Sequence, residues 1–234
     1  MSATMTRLPD RAVLAAAAAC LWAAGCASTS VYVDRESETG IDNGERIAIV
    51  VSRTGQSRTA SDDVAVVEER LETCLQPGIR DGAGDVSFIP AIEFHTLSAV
   101  RASGVDWSET AKELLSRFKE SRAASELASS GIHYLIVVGV RSSTSAPRPE
   151  VGGSGPNVAV GASQDTHASV QATILDLKRE REAGWIDSYA SGVQGGGVGF
   201  VGAVPVPIAF FTPFVDSSAC SALGQALGKF IAGK

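Results

Sequence analysis

Apolar residues follow strand-like patterns in five segments of the chain. Arg46–Ser52 and Ile132–Val140 are near-continuous apolar runs rich in β-branched residues, which is typical of strands buried on both faces. His167–Leu177 alternates apolar and polar positions, and Trp185–Gly192 follows it after a charged turn. These two segments predict a hairpin with one solvated face. Val86–Ile89 is a further short strand.

Helical spacing of apolar residues marks four more segments. The pattern predicts helices over Ser61–Gln76, Ile92–Ala102, Ser108–Ser129 and Ser217–Ala232, the first of them ended by Pro77. The element order is therefore β-α-β-α-α-β, then a β-hairpin, then a last helix. This order predicts an α/β (α+β) fold, with a mixed β-sheet of about five strands layered with helices, a C-terminal β-hairpin and a final helix.

The start of the chain has the pattern of an export signal. An apolar stretch, Val13–Ala24, follows Arg7 and Arg11 and ends in small residues. A basic segment, a short apolar segment and a small-residue cleavage site make a secretory signal rather than part of a fold. The stretch is also too short and too rich in alanine for a stable membrane span. We therefore predict that residues 1–25 are a signal peptide.

The end of that signal carries a second motif. Leu21-Trp22-Ala23-Ala24-Gly25-Cys26 resembles the lipobox of bacterial lipoproteins. The resemblance implies cleavage between Gly25 and Cys26, a diacylglycerol on the Cys26 thiol, and an acyl chain such as palmitate on the new amine. Ala27, rather than Asp, follows the cysteine, which in that family implies an outer-membrane destination. The alternative is an ordinary secretory peptide in which Cys26 is incidental.

Composition divides the rest of the chain into three kinds of segment. Residues 26–45 are polar and mixed, which predicts a lipidated cysteine followed by a flexible tether, with a short strand at Val31–Val33. Residues 46–234 form the predicted periplasmic α/β domain. Within that domain, 141–166 is rich in Gly, Pro and Ser and predicts a mobile loop, and 192–215 is an uncharged Gly/Pro segment.

Charge and aromatic content exclude some partners. The chain has 20 basic and 26 acidic residues and a net charge of −6. This acidic balance disfavours nucleic acid as a partner and gives no attraction to anionic lipid headgroups. Aromatic residues make up only 6% of the chain, few for a protein that recognises sugars by stacking.

Two cysteines remain beyond the signal and Cys26. Cys74 and Cys220 both lie on apolar helical stripes, in a compartment that oxidises thiols. We expect a disulfide between them, and two buried free thiols are the alternative. With Cys74 placed at the end of its helix and Cys220 near the start of its own, the bond requires antiparallel helices or helices offset end to end.

The uncharged segment Ser188–Val215 invites several interpretations. Gly197-x-Gly199-x-x-Gly202 matches a dinucleotide fingerprint, but Pro205 and Pro207 prevent the helix that such a site needs. The prolines and glycines also argue against a transmembrane helix. The favoured interpretation is a Gly-rich surface loop followed by an extended apolar strand, with prolines of the edge type, that packs in the core.

Contact with a membrane or with other copies of the chain is the other option for this segment. The residues that would make the contact are apolar, and they are Val198, Phe200, Val201, Ile208, Phe210 and Phe211.

No pattern points to catalysis, a metal or a cofactor. His95, His133 and His167 have neither the i, i+4 partner nor the cysteine pairing of a metal site, which predicts structural roles. Nucleophile-elbow, zinc-protease and CxxC motifs do not occur in the sequence. The charged runs at Glu68-Glu69 and Lys178–Glu182 are typical of solvated surface.

A weaker resemblance concerns the predicted domain as a whole. A lipobox, a polar tether, an opening buried strand, the Gly131–Gly139 strand and the Leu175–Leu177 hairpin turn resemble outer-membrane lipoproteins. These share a domain with the TolB amino-terminal domain and the periplasmic domain of the curli secretion channel. The resemblance implies an interaction or assembly module and transfers no residue role.

Together these observations predict an outer-membrane lipoprotein, anchored by lipid and facing the periplasm. Its domain would be a non-catalytic binding or assembly module, and its partner an unknown envelope protein or further copies of itself. The first alternative is a subunit of an outer-membrane secretion or channel assembly. The second alternative is an envelope-processing enzyme without a recognisable motif.

Overall fold

A computed structural model describes residues 28–42, 44–52, 64–154, 157–201, 204–210 and 215–234. The described residues form eight strands, which are β1 Ser28–Arg35, β2 Arg46–Val51, β3 Ser87–Ile89, β4 Ile132–Thr144, β5 Arg148–Ser154, β6 Asn157–Asp176, β7 Arg181–Val201 and β8 Val204–Phe210. They also form six helices, which are α1 Val64–Ala83, α2 Ala91–Thr96, α3 Ser98–Ser103, α4 Ala111–Glu120, α5 Ala123–Ser129 and α6 Val215–Ile231.

The strands make one mixed sheet. Neighbouring strands follow the order β1, β7, β6, β4, β2, β3, while β5 pairs with β6 and β8 pairs with β7. β2 runs parallel to β3 and β4, and the β5–β6 and β7–β8 pairs are antiparallel. The predicted fold class is confirmed, including the final helix, but the described sheet has eight strands rather than about five.

The chain divides into two compact units. The first, which we call the arm, comprises Ser28 and the described residues of 144–166 and 192–214. The second, which we call the body, comprises Thr29–Ser143, His167–Ser191 and Val215–Lys234. Because β6 and β7 are long, each contributes residues to both units.

Helices cover both faces of β2, the strand next to the edge strand β3. Ala48 and Val50 of β2 belong to a core cluster with residues of α2 to α5, among them Phe94 and Phe118. The alternate residue Ile49 is equally buried, outside that cluster, and α1 also contacts β2. Burial on both faces is what the β-branched run Arg46–Ser52 predicts.

Helices α1 and α6 pack against each other through glycine. A Cβ atom added at Gly78 would lie 2.6 Å from the carbonyl carbon of Gly224, and one added at Gly82 would lie 2.5 Å from the carbonyl carbon of Gly228. Residues four apart share one helix face. The contacts therefore follow the same N-to-C direction along both helices. The helices run parallel, and their backbones are in close contact.

The close packing places the two cysteines together. The Cα atoms of Cys74 and Cys220 lie 6.1 Å apart, and the two sulfur atoms form a disulfide. The expectation that parallel helices exclude this bond is wrong. It assumed that Pro77 ends the first helix, whereas α1 continues through Pro77 to Ala83 and leaves Cys74 well inside the helix. The packing of Gly78 and its neighbours against α6 stabilises the helix by more than Pro77 destabilises it.

Two further segments differ from the sequence pattern. The expected helix over Ile92–Ala102 is split at Leu97 into α2 and α3. The expected helix over Ser108–Ser129 is split into α4 and α5, and Thr110 closes a capping box with Glu113 at the start of α4. The predicted start of the first helix, at Ser61, lies outside the described residues.

The segment 141–166, predicted as a mobile loop, is strand. It contains the end of β4, all of β5 and the start of β6. The β5–β6 pairing joins Arg148–Ser154 to Asn157–Ser163 by backbone hydrogen bonds, which any residue except proline can donate. In a local sequence pattern, small residues such as Gly152 and Gly153 indicate turns. They do not, however, prevent pairing with a neighbouring strand.

Part of the predicted tether is also ordered. Ser28–Arg35, which includes the expected strand at Val31–Val33, forms the edge strand β1. Beyond it, the Tyr134 hydroxyl donates to the Gly40 carbonyl at 2.9 Å. None of the helices in the described part of the chain combines the length and the hydropathy needed to cross a membrane.

Candidate functional site

The β5–β6 hairpin of the arm has one apolar and one polar face. Val151 pairs directly with Val160, and their exposed fractions are 76% and 51%. Pro149 and Ala162, two positions along, share that face. The register puts Arg148 and Glu150 on the opposite face, where Arg148 lies 3.5 Å from Asp165. The arm therefore presents adjacent valines to solvent.

The β7–β8 hairpin contains five of the six predicted contact residues. Val198 pairs with Pro207 and Phe200 with Pro205, whereas Gly197 pairs with Ile208 and Gly195 with Phe210. Val198 is 42% exposed.

The apolar strand with edge-type prolines is confirmed as β8, although the preceding glycine segment is strand β7 rather than loop. The predicted sites Gly25, Cys26 and Phe211 lie outside the described residues. Lipid attachment and signal cleavage therefore stay predictions.

A buried ionic cluster lies in the body around His133. The Nδ1 atom of His133 lies 2.5 Å from Glu45 Oε2, and its Nε2 atom lies 3.4 Å from Asp176 Oδ1. The second distance is at the long limit of a hydrogen bond, and Nε2 has no closer acceptor among the described residues. Lys178 contacts Glu45, and Arg179 Nη1 lies 3.0 Å from Asp176 Oδ2. The charged turn predicted to be solvated thus supplies both cations.

The cluster shifts the pKa values of its members in opposite directions. Burial alone would lower the pKa of His133, but the attraction of Asp176 and Glu45 outweighs it and holds the pKa above its ordinary value. Burial opposes ionisation of the two carboxyl groups, yet contacts with Lys178 and His133 lower the pKa of Glu45. Contacts with His133 and Arg179 lower the pKa of Asp176. The cluster is therefore charged and joins the segment before β2 to β4 and the β6–β7 turn.

The other two histidines also have partners. His95 Nε2 lies 3.0 Å from Glu68 Oε1, and the Tyr189 hydroxyl lies 2.5 Å from His167 Nδ1. Glu68 was predicted to be solvated, but it is buried, because its helix face turns toward β2. Among the described residues, no group of His, Cys, Asp and Glu could hold a metal ion.

Comparison with known proteins gives no family assignment. No protein-family model and no curated protein matches the chain.

Solved structures with similarity to the chain include a PelC dodecamer from Paraburkholderia phytofirmans, 12% identical, covering 88% of this chain and 99% of that chain at a TM-score of 0.37. A neuraminyllactose-binding hemagglutinin homolog from Helicobacter pylori is 8% identical and covers 85% of this chain and 91% of that chain, with a TM-score of 0.40. Lipoprotein GNA1162 from Neisseria meningitidis is 13% identical and covers 65% of this chain and 83% of that chain, with a TM-score of 0.28. None of these scores reaches the level that establishes a shared fold, so the proposals below rest on the residues of this chain.

Proposed function

We propose that the protein is a lipid-anchored outer-membrane lipoprotein whose domain acts by binding and assembly in the cell envelope rather than by catalysis. In this proposal Cys26 holds the chain at the membrane, and the arm is the surface that binds a partner. The observation that carries the proposal is the pair of exposed valines, Val151 and Val160, side by side on one face of the arm.

The composition of the arm supports a contact role. Gly192–Phe214 contains no charged residue, and Val193 and Val198 of β7 are exposed as well. Soluble surfaces seldom collect apolar residues in one compact unit unless a partner covers them. The arm is also a unit separate from the body, so its contacts can be changed without opening the body's core.

Photocrosslinking in intact cells tests the arm. A photoreactive amino acid at position 151 should form a covalent adduct with one partner, and the same group at position 66 serves as the control. Val66 is also an exposed valine, 40% accessible, but it lies on α1 of the body. Equal adducts from both positions, or none from position 151, would contradict the proposal.

The identity of the adduct separates two forms of the function. A different envelope protein in the adduct supports a binding module, and a second copy of this chain supports a subunit of a secretion or channel assembly.

Metabolic labelling tests the anchor. Cells given radiolabelled palmitate should label the protein, and Cys26→Ser should abolish the label and release the protein from the membrane fraction. Two or more acyl chains, at ~0.8 kcal/mol per buried CH₂, make the anchor effectively permanent, which is why loss of one residue should release it. Cys20→Ser, within the signal, should leave the labelling unchanged. Label that persists in Cys26→Ser would show that the lipobox interpretation is wrong.

A further inference from the structure

A cleft of about 540 Å³ opens in the body beside the end of β2. The chain leaves β2 through α1 to reach β3 on one side, and returns through α2 to α5 to reach β4 on the other side. Both crossovers join parallel strands. In open sheets of this kind, helices diverge onto opposite faces at such a switch point. The crevice outside the carboxyl end of the strand is then the usual place for a ligand.

The helices that line the cleft are fixed by two carboxylates of α1. Glu72 accepts a hydrogen bond from the Ala91 backbone N–H at 2.6 Å, at the start of α2. Glu68, one turn earlier on α1, contacts His95 near the end of α2. Two side chains on one face of α1 therefore hold both ends of the short helix α2, which gives the cleft a preformed wall.

Contacts with neighbouring elements hold the polar groups of the cleft in fixed positions. Glu68 Oε1 accepts the Val51 backbone N–H at 3.3 Å and lies 3.0 Å from His95 Nε2. The buried carboxylate is thus engaged by the end of β2 and by the imidazole. Arg101 of α3 also lines the cleft, is exposed, and has no side-chain partner among the described residues. Among the described residues that line the cleft, the charge left free for a ligand is therefore positive.

The remaining walls are apolar. Trp107 lies edge-on to the His95 ring, with the ring centres 4.9 Å apart and the planes at 72°. Ile92, Val100 and Val105 complete this side. An aromatic and aliphatic wall next to one unpaired guanidinium suits a ligand with an apolar body and one anionic group.

We propose that this cleft binds a small amphipathic carboxylate, with the carboxylate at Arg101 and the apolar body against Trp107. The site is separate from the arm and goes beyond the proposed assembly function.

A binding experiment with decanoate as the probe tests the proposal. The chain carrying Cys26→Ser, Trp22→Phe and Trp185→Phe keeps Trp107 as its single tryptophan, whether or not the signal peptide is removed. Below its micelle concentration, decanoate should change the Trp107 emission in a saturable way and give a matching calorimetric isotherm. Decanol and decyltrimethylammonium, which share the chain length but lack the negative charge, should bind at least about tenfold more weakly.

Two single substitutions of cationic residues, one inside the cleft and one outside it, give a matched comparison. Arg101→Gln should weaken decanoate binding by about tenfold and leave decanol binding unchanged. Lys119→Gln removes an exposed cation of α4 that does not line the cleft, and it should bind decanoate like the parent chain. Equal binding of decanoate and decanol, equal effects of the two variants, or no isotherm with folded protein would overturn the proposal.

Discussion

At the scale of single residues, His133 shows how the body uses buried charge. Its imidazole lies between Glu45 and Asp176, whose outer sides are held by Lys178 and Arg179. Each buried ion therefore has a partner of opposite charge, the condition under which buried charges are tolerated. The cluster ties together three segments that are distant in sequence.

The pKa directions predict how stability depends on pH. The pKa of folded His133 is raised above 6.5, so its contribution is complete below about pH 6.5 and is lost as the pH rises through the folded value. The pKa values of Glu45 and Asp176 are lowered below 4.5 and 3.8, so their contribution is complete above about pH 4.5 and is lost as the pH falls. The cluster should therefore stabilise the fold most between about pH 4.5 and 6.5.

Replacement of His133 tests this directly. His133→Gln should lower the free energy of unfolding near pH 6 by on the order of 3 kcal/mol, because two buried carboxylates lose the cation between them. The loss should shrink from pH 6 toward pH 9, because the contribution of His133 declines as the pH rises through its raised folded pKa. Denaturant unfolding across that range measures it, with His167→Gln, at an exposed contact, as the control. A loss that is the same at pH 6 and pH 9 would contradict the ionic role.

Single residues were also where the sequence pattern failed most clearly. Glu68 sits in a charged run that resembles any solvated helix face, yet it is buried against β2. Its partners Val51 and His95 come from other elements, so no local pattern could identify it. The structural role expected for His133 agrees with its burial, but its partners could not be foreseen.

At the scale of elements, the α1–α6 pair depends on glycine rather than on large apolar side chains. Because Gly78 and Gly224 have no Cβ, the two backbones approach closely enough for the disulfide in parallel helices. Both cysteines can be identified from the sequence, but the pattern ends α1 at Pro77 and so predicts the wrong orientation of the helices. Contacts with another helix decide whether a helix continues past proline, and these contacts are not local in sequence.

Adding a methyl group at this interface should be destabilising. Gly224→Ala should cost about 2 kcal/mol, although alanine favours helix, because its Cβ would lie 2.8 Å from the Leu75 carbonyl oxygen. Gly139→Ala is the control, since a Cβ there meets no atom within 4 Å. Thermal unfolding of the two variants compares them. Equal melting temperatures would mean that the helices can move apart without a loss of stability, which would contradict this prediction.

The disulfide can be tested on its own. Replacing both Cys74 and Cys220 by alanine should lower the free energy of unfolding by about 3 kcal/mol, because the bond closes a long loop in the unfolded chain. Glycine packing should still hold the helices in place, so the far-UV circular dichroism at 25 °C should match that of the parent. Loss of the folded spectrum would show that the bond, rather than the packing, holds the pair together.

At the scale of the whole molecule, the chain combines a body with a conventional core and an arm with exposed valines. The core strands Arg46–Val51 and Ile132–Val138 could be predicted because continuous β-branched runs occur in few other contexts. The strands of the arm could not be predicted, because they are rich in Gly, Ser and Pro. Their regular structure comes from pairing across the hairpins. The segment that looked least structured therefore carries the candidate contact surface.

The mass of the assembly extracted from the membrane tests the central claim most directly. Native mass spectrometry of the parent protein in mild detergent should give a complex heavier than one chain. The double variant Val151→Asp, Val160→Asp should give single chains, because paired charges cannot be buried in an apolar contact. Val66→Asp should behave like the parent. Single chains from the parent, or an unchanged complex from the double variant, would contradict the account.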